Sequence, residues 1–248
     1  GWIVVNSPLG TLLRTTNGGA TWAIQNTGMY HQRDIHFVSS LEGWVVGFDT
    51  PKKTTDGGRT WKTMTLGEAG KLNDVFFVSS THGWIISDDK VYRTTDGGNT
   101  WGSSSNGGSS VFFTSTMEGW LTSGNAIYKT INGGITWEIS NQNSSPLQAI
   151  YASSTTNVVA AGIAGTILQS TNSGTNWVNT FSQTLTSAIS SIKAINATQA
   201  YLGGENGTVY KTINGGKTWL PLNSGTSNYL RSIDFVDANT GWVVGDSG

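Results

Sequence analysis

The sequence predicts an all-β chain made of a repeated four-strand unit, and three observations predict it. An eight-residue pattern, [Ser/Thr]-x-[Asp/Asn]-x-Gly-x-[Thr/Asn]-Trp, recurs six times, at Thr15 to Trp22, Thr54 to Trp61, Thr94 to Trp101, Thr130 to Trp137, Ser170 to Trp177 and Thr212 to Trp219. The closing tryptophans are spaced 39, 40, 36, 40 and 42 residues apart. A second marker, a Gly-Trp pair, keeps step at Gly1-Trp2, Gly43-Trp44, Gly83-Trp84, Gly119-Trp120 and Gly241-Trp242. Asn157-Val158 and Ala200-Tyr201 fill the two remaining slots. A period of about 40 with four short strand signals per unit is the signature of a β-propeller of four-stranded antiparallel blades.

The second unit shows the four signals in order. Asp34 to Val38 reads as a first strand, Trp44 to Gly47 as a second, Lys52 to Thr54 as a third and Thr60 to Thr63 as a fourth. No segment carries a capped 3.6-residue apolar stripe, so helix is not expected. A right-handed parallel β-helix is the competing repeat fold, but its coils are shorter and less punctuated by turns. The first unit opens in a second strand (2–6), and the last ends with a first strand (232–236) and a second (242–245). Six full periods are therefore present, with one surplus strand. Residues 1–248 are expected to form a single propeller domain, truncated at both ends, from a parent with seven blades; six is the other closure. A lone blade cannot bury both faces of its sheet, so blades have to stack.

Composition narrows the function. Of the 248 residues 36% are hydrophobic, only 12% are charged and 11 are Trp, which supplies a core at modest aliphatic content. A net charge of −1 without a basic run argues against nucleic acid as the partner. No apolar run reaches the ~18 residues of a transmembrane helix. With 0 Cys, disulfides and thiolate chemistry are excluded. The low-charge, Ser/Thr/Asn/Gly-rich composition suggests an exported protein: extracellular, cell-surface or periplasmic. His31, His36 and His82 are scattered, and neither a metal nor a cofactor is expected.

The repeated pattern reads as a turn between third and fourth strands. Asp or Asn can accept backbone N–H groups there, and Gly58 and its equivalents permit positive φ. Only Asp56 and Asp96 carry a carboxylate; Asn17, Asn132, Asn172 and Asn214 take its place in the other four copies. Asn cannot exchange a proton in this role, so all six are assigned to the scaffold. A lone Asp per turn also falls short of a calcium site.

The pattern resembles the Asp-box, or bacterial neuraminidase repeat, of sialidases, some β-glucan-cleaving glycosidases and sortilin-type receptors. Gly241-Trp242-Val243-Val244-Gly245 and Lys211-Thr212-Ile213-Asn214-Gly215-Gly216-Lys217-Thr218-Trp219 at one spacing resemble the photosystem II assembly and stability factor family over essentially the whole chain. That resemblance implies a non-enzymatic propeller presenting an Arg-bearing loop face to a protein or peptide partner. A photosynthetic source would imply the thylakoid lumen. The alternative it leaves open is carbohydrate binding or cleavage. A sialidase needs three Arg around a carboxylate. Of the five here, Arg14 and Arg93 sit in a repeat slot and Arg59 in a motif turn. A glucanase-like site would need a carboxylate pair such as Asp49 and Asp88.

Variation between units marks the candidate face. The residue expected just before each first strand is Arg33, Asn73, Ser109, Gln148, Ser190 and Arg231. Tyr30 and His31 flank Arg33, and Tyr229 flanks Arg231. In a closed ring Arg33 and Arg231 would lie near each other. Tyr30, His31, Arg33, Asn73, Gln148, Tyr229 and Arg231 are therefore the candidate binding residues, and no residue is assigned to catalysis.

Overall fold

The computed structural model describes residues 1–5, 10–48, 50–67, 70–180 and 186–246. Among them are 25 strands in seven antiparallel sheets, with one 3-10 turn at Glu205–Gly207 and no α-helix. The chain divides into two compact units, residues 1–108 with 133–136 and residues 109–132 with 137–248.

The first unit holds three sheets. Sheet 1 contains β1 (Trp2–Val5), β2 (Thr11–Arg14) and β3 (Ala23–Asn26). Sheet 2 contains β4 (Gln32–Phe37), β5 (Gly43–Gly47), β6 (Lys52–Thr54) and β7 (Lys62–Thr63). Sheet 3 contains β8 (Leu72–Phe77), β9 (Gly83–Ser87), β10 (Lys90–Thr94) and β11 (Gly102–Ser105).

The second unit holds four sheets. Sheet 4 contains β12 (Ser110–Phe113), β13 (Gly119–Ser123), β14 (Ala126–Thr130) and β15 (Glu138–Gln142). Sheet 5 contains β16 (Leu147–Ala152), β17 (Val158–Gly162), β18 (Ile167–Ser170) and β19 (Val178–Asn179). Sheet 6 contains β20 (Ile189–Ala194), β21 (Ala200–Gly204), β22 (Val209–Thr212) and β23 (Leu220–Leu222). Sheet 7 contains β24 (Leu230–Phe235) and β25 (Gly241–Gly245) alone. Each sheet is a meander in chain order, so consecutive strands pair through short hairpins.

Aromatic rings join successive sheets. Trp44 of β5 is fully buried and stacks on Phe77 of β8, with centroids 3.5 Å apart and planes 7° apart. Trp101, which closes the sheet 3 turn, meets Phe77 edge-on at 6.2 Å. The same trio recurs one sheet earlier. Trp2 stacks on Phe37 at 5.0 Å, and Trp61 meets both edge-on. In the second unit Tyr201 stacks on Phe235 at 3.8 Å. Stacked and edge-on pairs at these separations add attraction beyond the apolar area they bury.

Two seams of the second unit lack the stack: where sheets 4 and 5 meet, Trp120 packs on Ala152 in place of a Phe, and where sheets 5 and 6 meet both rings are missing. Register places Val158 opposite Ser170 and Val159 opposite Gln169, as Gly43 lies opposite Thr54 and Trp44 opposite Lys53. Val158-Val159 therefore occupies the Gly-Trp slot, one residue later than the Asn157-Val158 read from the sequence. The slip arises because neither pair contains Gly or Trp to set the frame. Ala194, facing Ala200 in the hairpin, takes the place of Phe37, which faces Gly43. Where sheets 5 and 6 meet, the Trp–Phe stack is thus reduced to Val159 and Ala194. A small cavity opens there, lined by Val159, Ala194, Tyr151, Ile192 and Gly215, with room for about one water.

The six turns share one hydrogen-bond scheme where their bonds are described. Thr54 Oγ1 donates to Asp56 Oδ1 at 2.8 Å and accepts from the N–H of Gly58 at 2.8 Å. Asp56 Oδ1 also accepts from the N–H of Thr60 at 2.9 Å. Asp96 repeats this with Thr94 and Thr100. Asn17 and Asn214 keep the same carbonyl contacts, to Thr15 and Thr21 and to Thr212 and Thr218. Asn172 does so with Ser170 and Asn176, and Asn132 accepts from Thr130 at 2.9 Å. The difference lies at the second side-chain atom. Thr60 Oγ1 donates to Asp56 Oδ2 at 2.6 Å, whereas Thr21 Oγ1 accepts from Asn17 Nδ2 at 2.8 Å. A hydroxyl can do either, so Asp and Asn exchange without loss of a bond. Gly58, at φ 75°, lies directly over the Trp2 ring, where a Cβ would approach to 2.2 Å.

Two expectations follow from this packing. Trp44→Ala should cost about 3–5 kcal/mol in urea unfolding. Val159→Ala, at the same register in the seam where both rings are missing, should cost only about 1–2 kcal/mol. Hydrogen bonds from Thr60 and Thr100 hold Asp56 and Asp96 at pKa values of about 2. Both values are depressed, so the stability they add is present above the ordinary carboxylate value and is lost as pH falls toward 2. A double Asp56→Asn, Asp96→Asn variant should melt like the parent at pH 7. It should lose less melting temperature than the parent between pH 4 and pH 2.

Candidate partner-binding face

Each hairpin fixes two opposite ends of its sheet. Gln32 pairs with Gly47, while Phe37 pairs with Gly43 and Gly43 with Thr54. The turn holding Asp56 therefore lies at the Phe37 end, and Gln32 marks the other. At that other end the register slips by one residue. Gln32 faces Gly47 but Asp34 faces Val46, so Arg33 is the extra residue of a β-bulge. Asn73, Gln148, Ser190 and Arg231 are the extra residues at the same step of β8, β16, β20 and β24. Five residues of the variable column thus lie within the first strands, because these strands begin one or two residues earlier than their apolar pattern indicates, whereas Ser109 lies just before β12 (Ser110–Phe113), as expected. A bulge re-aims the side chain it carries and sharpens the local twist.

The bulge also explains the final Gly of the Gly-Trp-x-Val-Gly pattern. The backbone beyond Gly47 turns in so that Phe48 N–H reaches the His31 carbonyl, and a Cβ on Gly47 would lie 2.4 Å from that oxygen. Gly162, Gly204 and Gly245 face the carbonyls of Pro146, Ala188 and Tyr229 in the same way.

In the first unit Tyr30 is 62% exposed and Phe48 is 48% exposed. His31, in the left-handed region at φ 45°, meets the Phe48 ring edge-on at 5.4 Å. The Arg33 guanidinium lies 5.7 Å from the same ring. Asn73 Nδ2 bridges Asp88 Oδ1 at 2.7 Å and the Gly108 carbonyl at 2.8 Å, and Lys71 pairs with Asp88 at 3.1 Å. The Asn73 hydrogen bond and the Lys71 charge hold the Asp88 carboxyl below the usual carboxylate range. Asp88 is therefore a tied anion. Asp49, named with it as a carboxylate pair, lies outside the described residues.

In the second unit the Arg231 guanidinium stacks 4.0 Å from the Tyr229 ring centre. Its fork is filled by Asp246, with Nε and Nη2 each 2.9 Å from a carboxylate oxygen. That bond lowers the Asp246 pKa, and burial raises that of Tyr229. Ser190 Oγ donates to the Leu230 carbonyl at 2.5 Å, tying its strand to the base of the Arg231 bulge. Gln148 carries a buried Oε1 with no hydrogen-bond partner among the described residues.

The structure thus gathers His31 and Arg33 around Phe48 in one unit, with Tyr30 exposed next to them in the chain, and Tyr229 and Arg231 with Asp246 in the other. Asn73 joins the Asp88–Lys71 pair, and Gln148 stands on its own bulge. Sequence reasoning missed Asp246, whose only signal was its place directly after Gly245, across the hairpin from Arg231. Such clusters of aromatic faces and guanidinium groups suit contact with a polypeptide: a stacked Arg such as Arg33 keeps its in-plane donors for carbonyls and carboxylates, while Arg231, its fork held by Asp246, presents its stacked face. Among the described residues no group of three or more His, Cys, Asp or Glu could hold a metal. No helix among them is long and apolar enough to cross a membrane.

Comparison with known proteins agrees with this architecture. The structure of YCF48 bound to D1 peptide aligns with 99% of this chain and 84% of its own, at a TM-score of 0.77 and 22% identity. YCF48 from Cyanidioschyzon merolae aligns with 99% of this chain and 88% of its own, at 0.79 and 20%. The GH74 xyloglucanase from Xanthomonas campestris aligns with 100% of this chain and 49% of its own, at 0.77 and 12%. At such identities these likenesses establish the fold alone, a β-propeller. No curated protein matches the sequence. The family model described as photosynthesis system II assembly factor YCF48 matches residues 107–231, half of the chain, and the chain belongs to that family.

Proposed function

We propose that this chain is a non-enzymatic, assembly-factor-like propeller that holds a segment of a partner polypeptide at the bulge end of its sheets. The observation that carries this reading is the contrast between the two ends. The turn end repeats one bonding scheme, while the bulge end varies its side chain from sheet to sheet, with Arg and aromatic faces side by side in two of them. Family membership and the likeness to a YCF48 structure that holds a D1 peptide support a peptide as the occupant. A glycosidase reading lacks comparable support, since Asp88 is tied to Lys71 and Asn73 rather than poised to exchange a proton. The low charged fraction of 12% is the ground for an exported location.

The test is fluorescence anisotropy with a labelled D1 peptide. Arg33→Ala combined with Arg231→Ala should weaken its capture by about tenfold or more, with the melting temperature changed by no more than about 2 °C. Equal affinity in the folded double variant would remove both clusters from the reading. Absence of binding to the parent chain would remove the D1 peptide as its ligand.

A further inference from the structure

We propose that Asp34, set against Asp74 across the seam between β4 and β8, makes that seam a pH-sensitive joint. Each acid directly follows a bulge residue, Arg33 or Asn73, and both are partly buried. Asp34 reaches out of sheet 2 and accepts the N–H of Val75 at 2.9 Å. That bond sets its carboxyl beside Asp74, whose charge opposes its own. Two negative charges in a partly buried seam repel, so a proton on Asp34 relieves the repulsion.

The carboxyl at Asp34 exceeds what the seam requires. In the second unit the matching position on β20 is Ser191, whose Oγ accepts the N–H of Ile233 on β24 at 3.2 Å. A neutral oxygen therefore makes the same strand-to-strand bond. The acid pair adds only a group that titrates. The strands packed against β4 are β1, β5 and β8, and Asp74 is the sole titratable side chain among them. On β4 itself, His36 is directed to the Phe77 carbonyl at 3.0 Å, and Arg33 is turned out by the bulge toward Phe48.

The direction of the pH effect follows. Burial first, then the Asp74 charge, raise the Asp34 pKa well above its ordinary value. A raised carboxyl pKa adds stability at low pH that is lost as pH rises through the folded-state value. The joint is closed when acidic and strained when alkaline, opposite in sign to the Asp56 and Asp96 turns. This inference stands apart from peptide capture.

Thermal unfolding of the parent and of Asp34→Asn at pH 5 and pH 9 tests it. Asn keeps the bond to Val75 and cannot titrate. The melting temperature of the parent should fall relative to the variant by about 5 °C over that range. Parallel profiles would overturn the proposal. Should the variant not fold, carboxyl-carbon NMR of the parent decides. The Asp34 resonance should titrate well above the ordinary value of about 3.9, and titration at or below that value would also overturn it.

Discussion

The packing of one indole ring under the neighbouring sheet's turn is the constraint on which the rest of this structure depends. Trp44 leaves sheet 2, stacks on Phe77 and directs its Nε1 to the Gly97 carbonyl at 3.4 Å, inside the turn of sheet 3. Lys53 lies over the same ring at 5.0 Å, donates to the same carbonyl at 3.1 Å and pairs with Glu42 at 2.7 Å. One side chain thus joins core, turn and surface ion pair. Sheet 4 uses the same device, with Lys129 over Trp120, paired to Glu118 and bonded to the Ser173 carbonyl of the next turn. The turn is therefore a docking point for the preceding sheet as well as a hairpin, which is why its backbone cannot vary.

That constraint divides the labour along each strand. The turn end is committed to inter-sheet contact and repeats. The bulge end is free to differ because its geometry is enforced by backbone: a register slip, a Gly facing a carbonyl, and a buried residue such as Leu72 or Leu230 beneath. None of these depends on the identity of the bulge side chain. Arg33, Asn73, Gln148 and Arg231 can thus occupy equivalent positions without disturbing the fold, as a face adapted to one partner requires.

How much was legible in the sequence follows the same division. The turns were readable because their chemistry is local: Thr54, Asp56, Gly58 and Thr60 bond within five residues of one another. The period followed from them. The bulges were not readable, since a register slip is a relation between two strands, and its one mark, the Gly that ends the second strand, gains its meaning only from the pairing. The slot at Val158-Val159 was misplaced by one residue for a related reason, as only pairing with Ser170 and Gln169 sets its frame. Of the candidate face, the residues were identified but their partners were not. Arg231 meets Asp246 across a hairpin, and Asp34 meets Asp74 across a whole repeat, at separations where composition says nothing about contact.

The acids show what a repeat protein can do with that freedom. At the turns, Asp and Asn are interchangeable because the hydroxyl of Thr60 or Thr21 reverses its role, so charge there is incidental. At the seams, Asp34 and Ser191 are likewise interchangeable as acceptors of the next strand's N–H. In both places the bond is the structural requirement and the ionisable group is an addition to it. The consequence depends on surroundings: an exposed turn carboxylate ringed by donors favours its charged form, whereas a partly buried one beside a second carboxyl favours its proton. One substitution, neutral acceptor to acid, therefore acts in opposite directions at the two ends of a blade.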